Sequence, residues 1–421
     1  MIAQIKKILS GTYVRNVGWM ASAEIANRII RLASTVVLAR VFSPQDYGLM
    51  AIIYTVSDFF QVFTLRGGVG SKIIQADEQD VKTICNTAYW LSWITCGTLF
   101  VVQCFVVLFF PHFFDTQNIA LPLFFVALTY LAYPLYIINL TLIERENRFK
   151  DVAVCNMAVS FVSSVTTAIL ALLGIGIWSI VWSLVLASPV WIFCTWKYQT
   201  WRPPLRFSLE KWQEVLSFGS SLLISNLLNR VRANVDYLIV GKYLGVEALG
   251  IYYFAFNAGS GITISILNTF MSPMYPYICL VRNDYQQFKE RYFSSLKKVT
   301  IILVSLILLQ SSLAPLYVPI VFGEKWIPAI PVLILICLSV IPRIFAWSAY
   351  LLLNAIDKPQ IALQISLVFT TIFILSLLIV VKAGIIWVAT TVLICNFTLL
   401  LGSAIWINRF ALDRKHFLPK N

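Results

Sequence analysis

The sequence predicts an all-α integral membrane protein, with about twelve transmembrane helices in two pseudo-symmetric six-helix lobes around a central cavity. Three observations predict it. The 421 residues are 59% hydrophobic and only 12% charged, with a mean hydropathy of +0.81, whereas soluble domains carry roughly 25% charged residues. Apolar runs long enough to cross a ~30 Å hydrocarbon core recur along the whole chain. The stretch from Glu24 to Gly48 returns 202 residues later without a gap, Asn27-Arg28 falling on Asn229-Arg230, Arg40 on Lys242, Phe42 on Leu244 and Gly48 on Gly250. Apolar residues coincide easily between membrane helices; a buried Asn-Arg pair, an exit cation and a glycine in one register do not.

The elements follow in order. Ile2, Ile5, Ile8 and Leu9 alternate with Lys6 and Lys7 in a helical pattern, which predicts a short amphipathic helix on the cytoplasmic surface. Charges inside the run that follows argue against a cleaved signal peptide, so the first helix is expected to be retained. Twelve spans are then predicted: Val17–Leu38, Tyr47–Leu65, Ile84–Phe110, Ile119–Leu142, Val152–Leu173, Ile177–Trp196, Val215–Val240, Leu249–Met271, Val299–Phe322, Ile327–Leu353, Ile361–Val381 and Ile385–Ile407. Six spans per half make the halves parallel repeats. The N-terminal lobe is expected over residues 1–196, a basic, proline-bearing cytoplasmic linker over 197–214, and the C-terminal lobe over 215–421.

Charge sets the orientation. Of the 32 Lys and Arg residues, 23 fall on the N-terminus and even-numbered loops. The opposite side holds Arg40, Lys242, Lys325 and Lys382. Both termini are therefore expected in the cytoplasm. The same asymmetry accounts for the net charge of +13 without nucleic acid, for which no motif is present. The eight cysteines are scattered through apolar spans and read as small core residues; with two histidines in the chain, no metal site and no catalytic residue is expected. The acidic run Asp77 to Asp80, between Lys72 and Lys82, reads as a solvated surface. No Walker motif occurs, so any driving force would come from an H+ or Na+ gradient, the membrane potential or substrate supply.

The remaining five cations, Arg28, Arg31, Arg230, Arg232 and Arg343, lie inside predicted spans, against Glu24, Asp58 and Asp236. Arg28 sits ~16 Å into its helix at ~1.5 Å per residue, near the midplane. An arginine there costs at least ~2.5 kcal/mol, so it must face protein or water. Glu24, Arg28 and Arg31 share one helix face, and one glutamate cannot neutralise both arginines. Arg28, Arg31, Arg230 and Arg343, with Asn27 and Asn229, are therefore the candidate binding residues for an anion such as phosphate or pyrophosphate, which the planar guanidinium fork matches. Arg28 and Arg230, related by the repeat, are expected to face one chamber. Two readings stay open for the rest. Glu24 and Asp58 either bind a coupling proton or cation, or hold arginines in place; Arg232 and Asp236, four residues apart, either form a self-neutralising pair or take part in coupling. Pro122, Pro134, Pro189, Pro331 and Pro342 either bend their helices or sit in them quietly.

Five motifs carry a resemblance: LARVFSPQDYGLMA, LIERENRFKDVAV, GIGIWSIVWSLV, VDYLIVGKYLGVEALGIYYFA and VFGEKWIPAIPVLILI. Together they resemble the Wzx-type flippases, the polysaccharide transporter branch of the multidrug/oligosaccharidyl-lipid/polysaccharide exporter superfamily. The resemblance implies a MATE-like fold and alternating-access flipping of undecaprenyl-pyrophosphate-linked oligosaccharide in the bacterial inner membrane, for O-antigen, capsule or exopolysaccharide assembly. Its partners would be polyprenyl-linked oligosaccharide and membrane lipid, with a polysaccharide polymerase and chain-length machinery. One rival is a cation-coupled multidrug exporter of the same superfamily, which buried arginine disfavours. The distant rival is a membrane-embedded sugar polymerase or ligase, which would be expected to carry a sizeable outward loop. A non-transporting scaffold would not call for midplane charges.

Overall fold

The computed structural model of the chain describes residues 27–28, 30–64, 66–109, 114, 119–203, 206–282 and 284–413. The amphipathic N-terminal segment, the start of the first span, Glu24 and both histidines lie outside these. The described residues are almost entirely helical and contain no strand. Among the described residues, nine helices are long and apolar enough to cross a membrane, and one of them, Asn226–Cys279, runs for 54 residues. At ~1.5 Å per residue that is more than twice a ~30 Å core, so this run must pass more than once. The protein is a multi-pass membrane protein. Side chains such as Leu173, Leu280, Ile320 and Ile379, each more than two-thirds exposed, then face lipid.

The chain divides into two compact units, Met1–Val231 and Arg232–Asn421. In the first, residues 30–41 form α1, followed by α2 (Pro44–Val62), α3 (Arg66–Gln75), α4 (Val81–Val107), α5 (Ala120–Arg145), α6 (Phe149–Leu172), α7 (Trp178–Tyr198) and the opening of α8 (Trp212–Phe256). Ser43 starts α2 with a capping box: its hydroxyl accepts from the Asp46 N–H, and the Asp46 carboxylate accepts from the Ser43 N–H. Gly245, 202 residues after Ser43, occupies the same register in the second copy. It interrupts α8 with φ 89° and ψ 171°, a left-handed backbone region that glycine adopts without strain. The repeat therefore carries a chain break at one position by two different local means.

One end of the first unit is held by charge. Arg145, at the end of α5, donates to the Ile73, Ile74 and Ala76 carbonyls at 2.7–2.9 Å and pairs with Glu78 at 2.8 Å. It thus satisfies the carbonyls that α3 leaves open at its C-terminus. Linker residues dock beside it: Lys211 pairs with Asp80 at 2.6 Å, Lys72 with Glu214 at 2.9 Å, and the Trp90 indole donates to the Arg206 carbonyl. Asp80 also holds the Lys211 ammonium above its ordinary pKa. The acidic run therefore has a positional task that its solvated character did not announce.

The second unit holds the rest of α8, then α9 (Ile262–Cys279), α10 (Tyr285–Tyr317), α11 (Ile330–Leu338), α12 (Ile341–Ala355), α13 (Pro359–Val380), α14 (Ile385–Cys395) and α15 (Leu401–Ala411). Its core packs Leu267 and Met271 of α9 against Phe288, Tyr292 and Leu303 of α10, Ile344 and Leu352 of α12, and Ile407 of α15. Two predicted spans are broken where the sequence read as continuous. The tenth stops at Leu338 and restarts at Ile341, with Pro342 in the first turn of α12, where its missing N–H costs nothing. The twelfth widens into a π-helical turn at Asn396–Leu400. The two faults meet, because the Asn396 side-chain amide donates to the Ser339 carbonyl at 3.0 Å. Pro134 and Pro189 instead lie inside continuous helices.

A third fault lies at the π-helical turn Asn257–Gly261 before α9. There Gln310 of α10 donates to the Ala258 and Gly259 carbonyls at 2.9 and 2.7 Å and accepts from the Thr263 hydroxyl. Gly259 is required, since a Cβ there would stand 2.9 Å from the Cys337 sulfur. In a membrane protein such carbonyls have no water to turn to. Gln310→Leu is expected to lower the apparent melting temperature in detergent, at about 1–3 kcal/mol for each carbonyl left unpaired. Gln364→Leu, at an exposed position of α13, is the control and should leave it unchanged.

Candidate functional site

In the first unit a cavity of about 470 Å³ opens among α2, α5, α7 and the start of α8. Its wall includes Ser57 and Gln61 from α2, Tyr130, Tyr133 and Tyr136 from α5, Ser188 and Trp191 from α7, and Asn226, Asn229 and Arg230 from α8. The tyrosines repeat every three residues and so share one face of α5. Tyr130 is fixed by a buried relay: its hydroxyl donates to Gln103 Oε1 at 2.8 Å, and Gln103 Nε2 donates to the Leu123 carbonyl at 2.8 Å. The Tyr136 and Trp191 rings stack 12° from parallel with centroids 5.5 Å apart, and Tyr133 meets Tyr136 edge-on. Ser57 is 6% exposed, and its hydroxyl has no hydrogen-bond partner among the described residues.

Arg230 enters this chamber paired with Asp58. Its Nη1 lies 2.9 Å from Asp58 Oδ2, with both side chains more than a third exposed. Of the two readings left open for Asp58, the geometry gives it an arginine to hold. Exposure keeps the pair weak, because solvent screens it and each partner remains available to a competitor.

Of the two repeat arginines, this chamber takes one. Asn229 and Arg230 line the chamber, but Asn27, Arg28 and Arg31 are not among its lining residues. Arg28 is half-buried and Arg31 exposed on α1, while Asn27 is buried with its Oδ1 unpartnered among the described residues.

The second unit holds the other charges. Asp236, 5% exposed, accepts from the Tyr252 hydroxyl at 2.8 Å and from the Tyr237 N–H at 3.1 Å. Arg343 of α12 lies within its electrostatic reach, as Arg232 does within that of Arg343, and Arg343 Nε is buried without a hydrogen-bond partner among the described residues. The self-neutralising pair of Arg232 with Asp236 is not formed. Arg232 instead stacks its guanidinium 4.5 Å above the Phe369 ring of α13, where cation–π attraction replaces part of its hydration. Arg343 thus lies between one attractive carboxylate, Asp236, and one repulsive cation, Arg232. Among the described residues no group of His, Cys, Asp and Glu could hold a metal ion, and the cysteines are free, most of them buried in the core.

Sequence reasoning found Arg230, Asn229 and Asp58 because charge and amide inside a span are conspicuous. It missed Tyr133, Tyr136, Trp191 and Ser57. Aromatic residues at helical spacing are ordinary membrane-core composition; the one available signal was their three-residue repeat across Pro134.

The profile of a family described as polysaccharide biosynthesis protein matches residues 37–331. Among curated proteins, the chain is 25% identical over 403 residues to the teichuronic acid biosynthesis protein TuaB of Bacillus subtilis (strain 168), covering 93% of this chain and 81% of that one. It is 24% identical over 373 residues to the lipopolysaccharide biosynthesis protein WzxC of Escherichia coli (strain K12), covering 85% and 72%. Among solved structures it resembles the lipid II flippase MurJ in an inward closed conformation, with a TM-score of 0.72, 15% identity, and coverage of 94% of this chain and 88% of that one. An inward-facing multidrug resistance MATE transporter of the MOP superfamily gives a TM-score of 0.71 at 14% identity, covering 91% and 94%. At such identities the structural likeness establishes the fold, a helical transporter fold.

Proposed function

We infer that this chain, which belongs to the polysaccharide biosynthesis protein family, flips a polyprenyl-pyrophosphate-linked oligosaccharide from the cytoplasmic to the outer leaflet of a bacterial plasma membrane. Its structural likeness to a lipid flippase and a multidrug transporter, beside its place in a polysaccharide biosynthesis family, supports a transporter rather than an enzyme. The carrier lipid, the direction and the alternating-access mechanism are our reading. The observation that carries it is Arg230, a guanidinium inside a polar and aromatic chamber, held by a half-exposed carboxylate. An arriving pyrophosphate competes with Asp58 for that guanidinium through bidentate, charge-assisted hydrogen bonds. A cationic drug would meet the opposite potential, which disfavours the multidrug rival. Arg28, Arg31 and Arg343 are proposed as further contacts for the anionic substrate.

The 23-to-4 distribution of cations supports cytoplasmic termini. A gradient of H+ or Na+ is the proposed driving force, and a polymerase with its chain-length machinery the proposed downstream partners. The test is deletion in the source strain. Undecaprenyl-pyrophosphate-linked glycan should accumulate on the cytoplasmic face and surface polysaccharide should fall, both reversed by the intact gene. Unchanged surface polysaccharide with no accumulated carrier would sink the reading.

A further inference from the structure

The chamber in the first unit is built for more than an anion. Tyr136 and Trp191 lie nearly parallel on two different helices, and both keep part of their surface open to the cavity. Stacked on one another, they make one aromatic ledge at the cavity wall. Around it stand short hydrogen-bonding groups: Ser188, Asn226 and Ser57, whose buried hydroxyl has no partner among the described residues. An unpaired hydroxyl is costly away from water and is satisfied when a polar guest arrives. A lipid tail would use the ledge and leave the amide and hydroxyls unpaired. A free phosphate would use Arg230 and ignore the ledge.

A pyranose ring uses both, because its C–H face is flat and apolar and its rim is covered in hydroxyls. The cavity, at about 470 Å³, falls within the ~300–1,000 Å³ range of small-ligand sites. We infer that Tyr136 and Trp191 form a carbohydrate-stacking subsite that holds the sugar nearest the pyrophosphate while Arg230 holds the pyrophosphate itself. The inference rests on the flippase reading above, and it divides recognition into two parts. Arg230 reads the carrier, and the ring pair reads whether that carrier bears a glycan. Bare polyprenyl pyrophosphate, the product left after the sugar is removed, is thereby distinguished from cargo.

The test measures equilibrium binding to the purified full chain in detergent. The two probes are undecaprenyl pyrophosphate and the same carrier bearing a single hexose. The wild type should prefer the glycosylated probe by roughly fivefold or more, the size of one aromatic stacking contact. Trp191→Leu and Tyr136→Leu should each erase most of that preference, weakening the glycosylated probe more than the bare carrier, with an unchanged melting temperature in detergent to show that the variants are folded. Trp191→Phe, which keeps a flat ring, should retain most of the preference. If the wild type binds both probes equally, or if the leucine variants weaken both alike, the subsite fails and the anion reading stands. If the wild type binds neither, the transport reading fails and the subsite with it.

Discussion

Arg230→Ala abolishes export of surface polysaccharide in a deletion strain while the protein accumulates in the membrane at its normal level. The first half of that expectation follows from chemistry: a charge-assisted hydrogen bond is worth about 1.5–3 kcal/mol, so losing the guanidinium reduces productive binding roughly 10–100-fold. The second half follows from exposure. Asp58, the carboxylate left behind, keeps a side chain 36% open to the chamber and can be hydrated there. Arg230→Lys should recover only part of the activity, because an ammonium is a point charge and cannot offer the planar fork. Asp58→Asn should fold and bind the carrier more tightly, since the anion no longer displaces a competitor, and should slow release. The decisive comparison is the Arg28→Ala/Arg230→Ala double variant. Wild-type export by that protein, at matched membrane level, would overturn the anion site altogether.

The features legible in the sequence were those where one residue type is out of place in lipid. Arg230 and Asp58 were visible because an ionised group in a span needs a reason, and the spans were visible because hydrophobic thickness sets a minimum length. What the sequence did not reveal depends on the third dimension. The broken tenth span is apolar on both sides of Ser339, and its fault exists because Asn396, 57 residues away, satisfies the freed carbonyl. Arg232 looked committed to Asp236 by spacing alone. The alternative partner, Phe369, arrives from another helix more than a hundred residues later. Tyr136 and Trp191 are likewise unremarkable until α5 and α7 bring their rings together. In a chain this apolar, composition hides aromatic and amide groups that would stand out in a soluble one.

Asp236→Ala is expected to prevent stable accumulation of the protein, a larger effect than any single loss in the chamber. Asp236 is buried in the second unit, and it is the carboxylate within reach of Arg343, which in turn feels the repulsion of Arg232. Removing it leaves Arg343 without its counter-charge while Arg232 still repels it, and with an Nε that has no hydrogen-bond partner among the described residues. Breaking such a buried arrangement costs about 3–5 kcal/mol, a large part of the ~5–15 kcal/mol that holds a typical domain together. The yield of monodisperse protein from membranes, and its melting temperature in detergent, would report the loss. The compensating variant makes the cause identifiable. Asp236→Ala/Arg343→Met removes charge of both signs and should recover folded protein, because apolar groups of similar volume replace a buried ion pair at little cost. Asp236→Asn separates structure from coupling: its amide oxygen still accepts from Tyr252, and what is lost is the charge together with the weaker bond from the Tyr237 N–H. If that variant is as unstable as Asp236→Ala, the carboxylate acts as a counter-ion to the arginines. If it folds normally and export loses its dependence on the ion gradient, Asp236 is instead the residue through which that gradient acts.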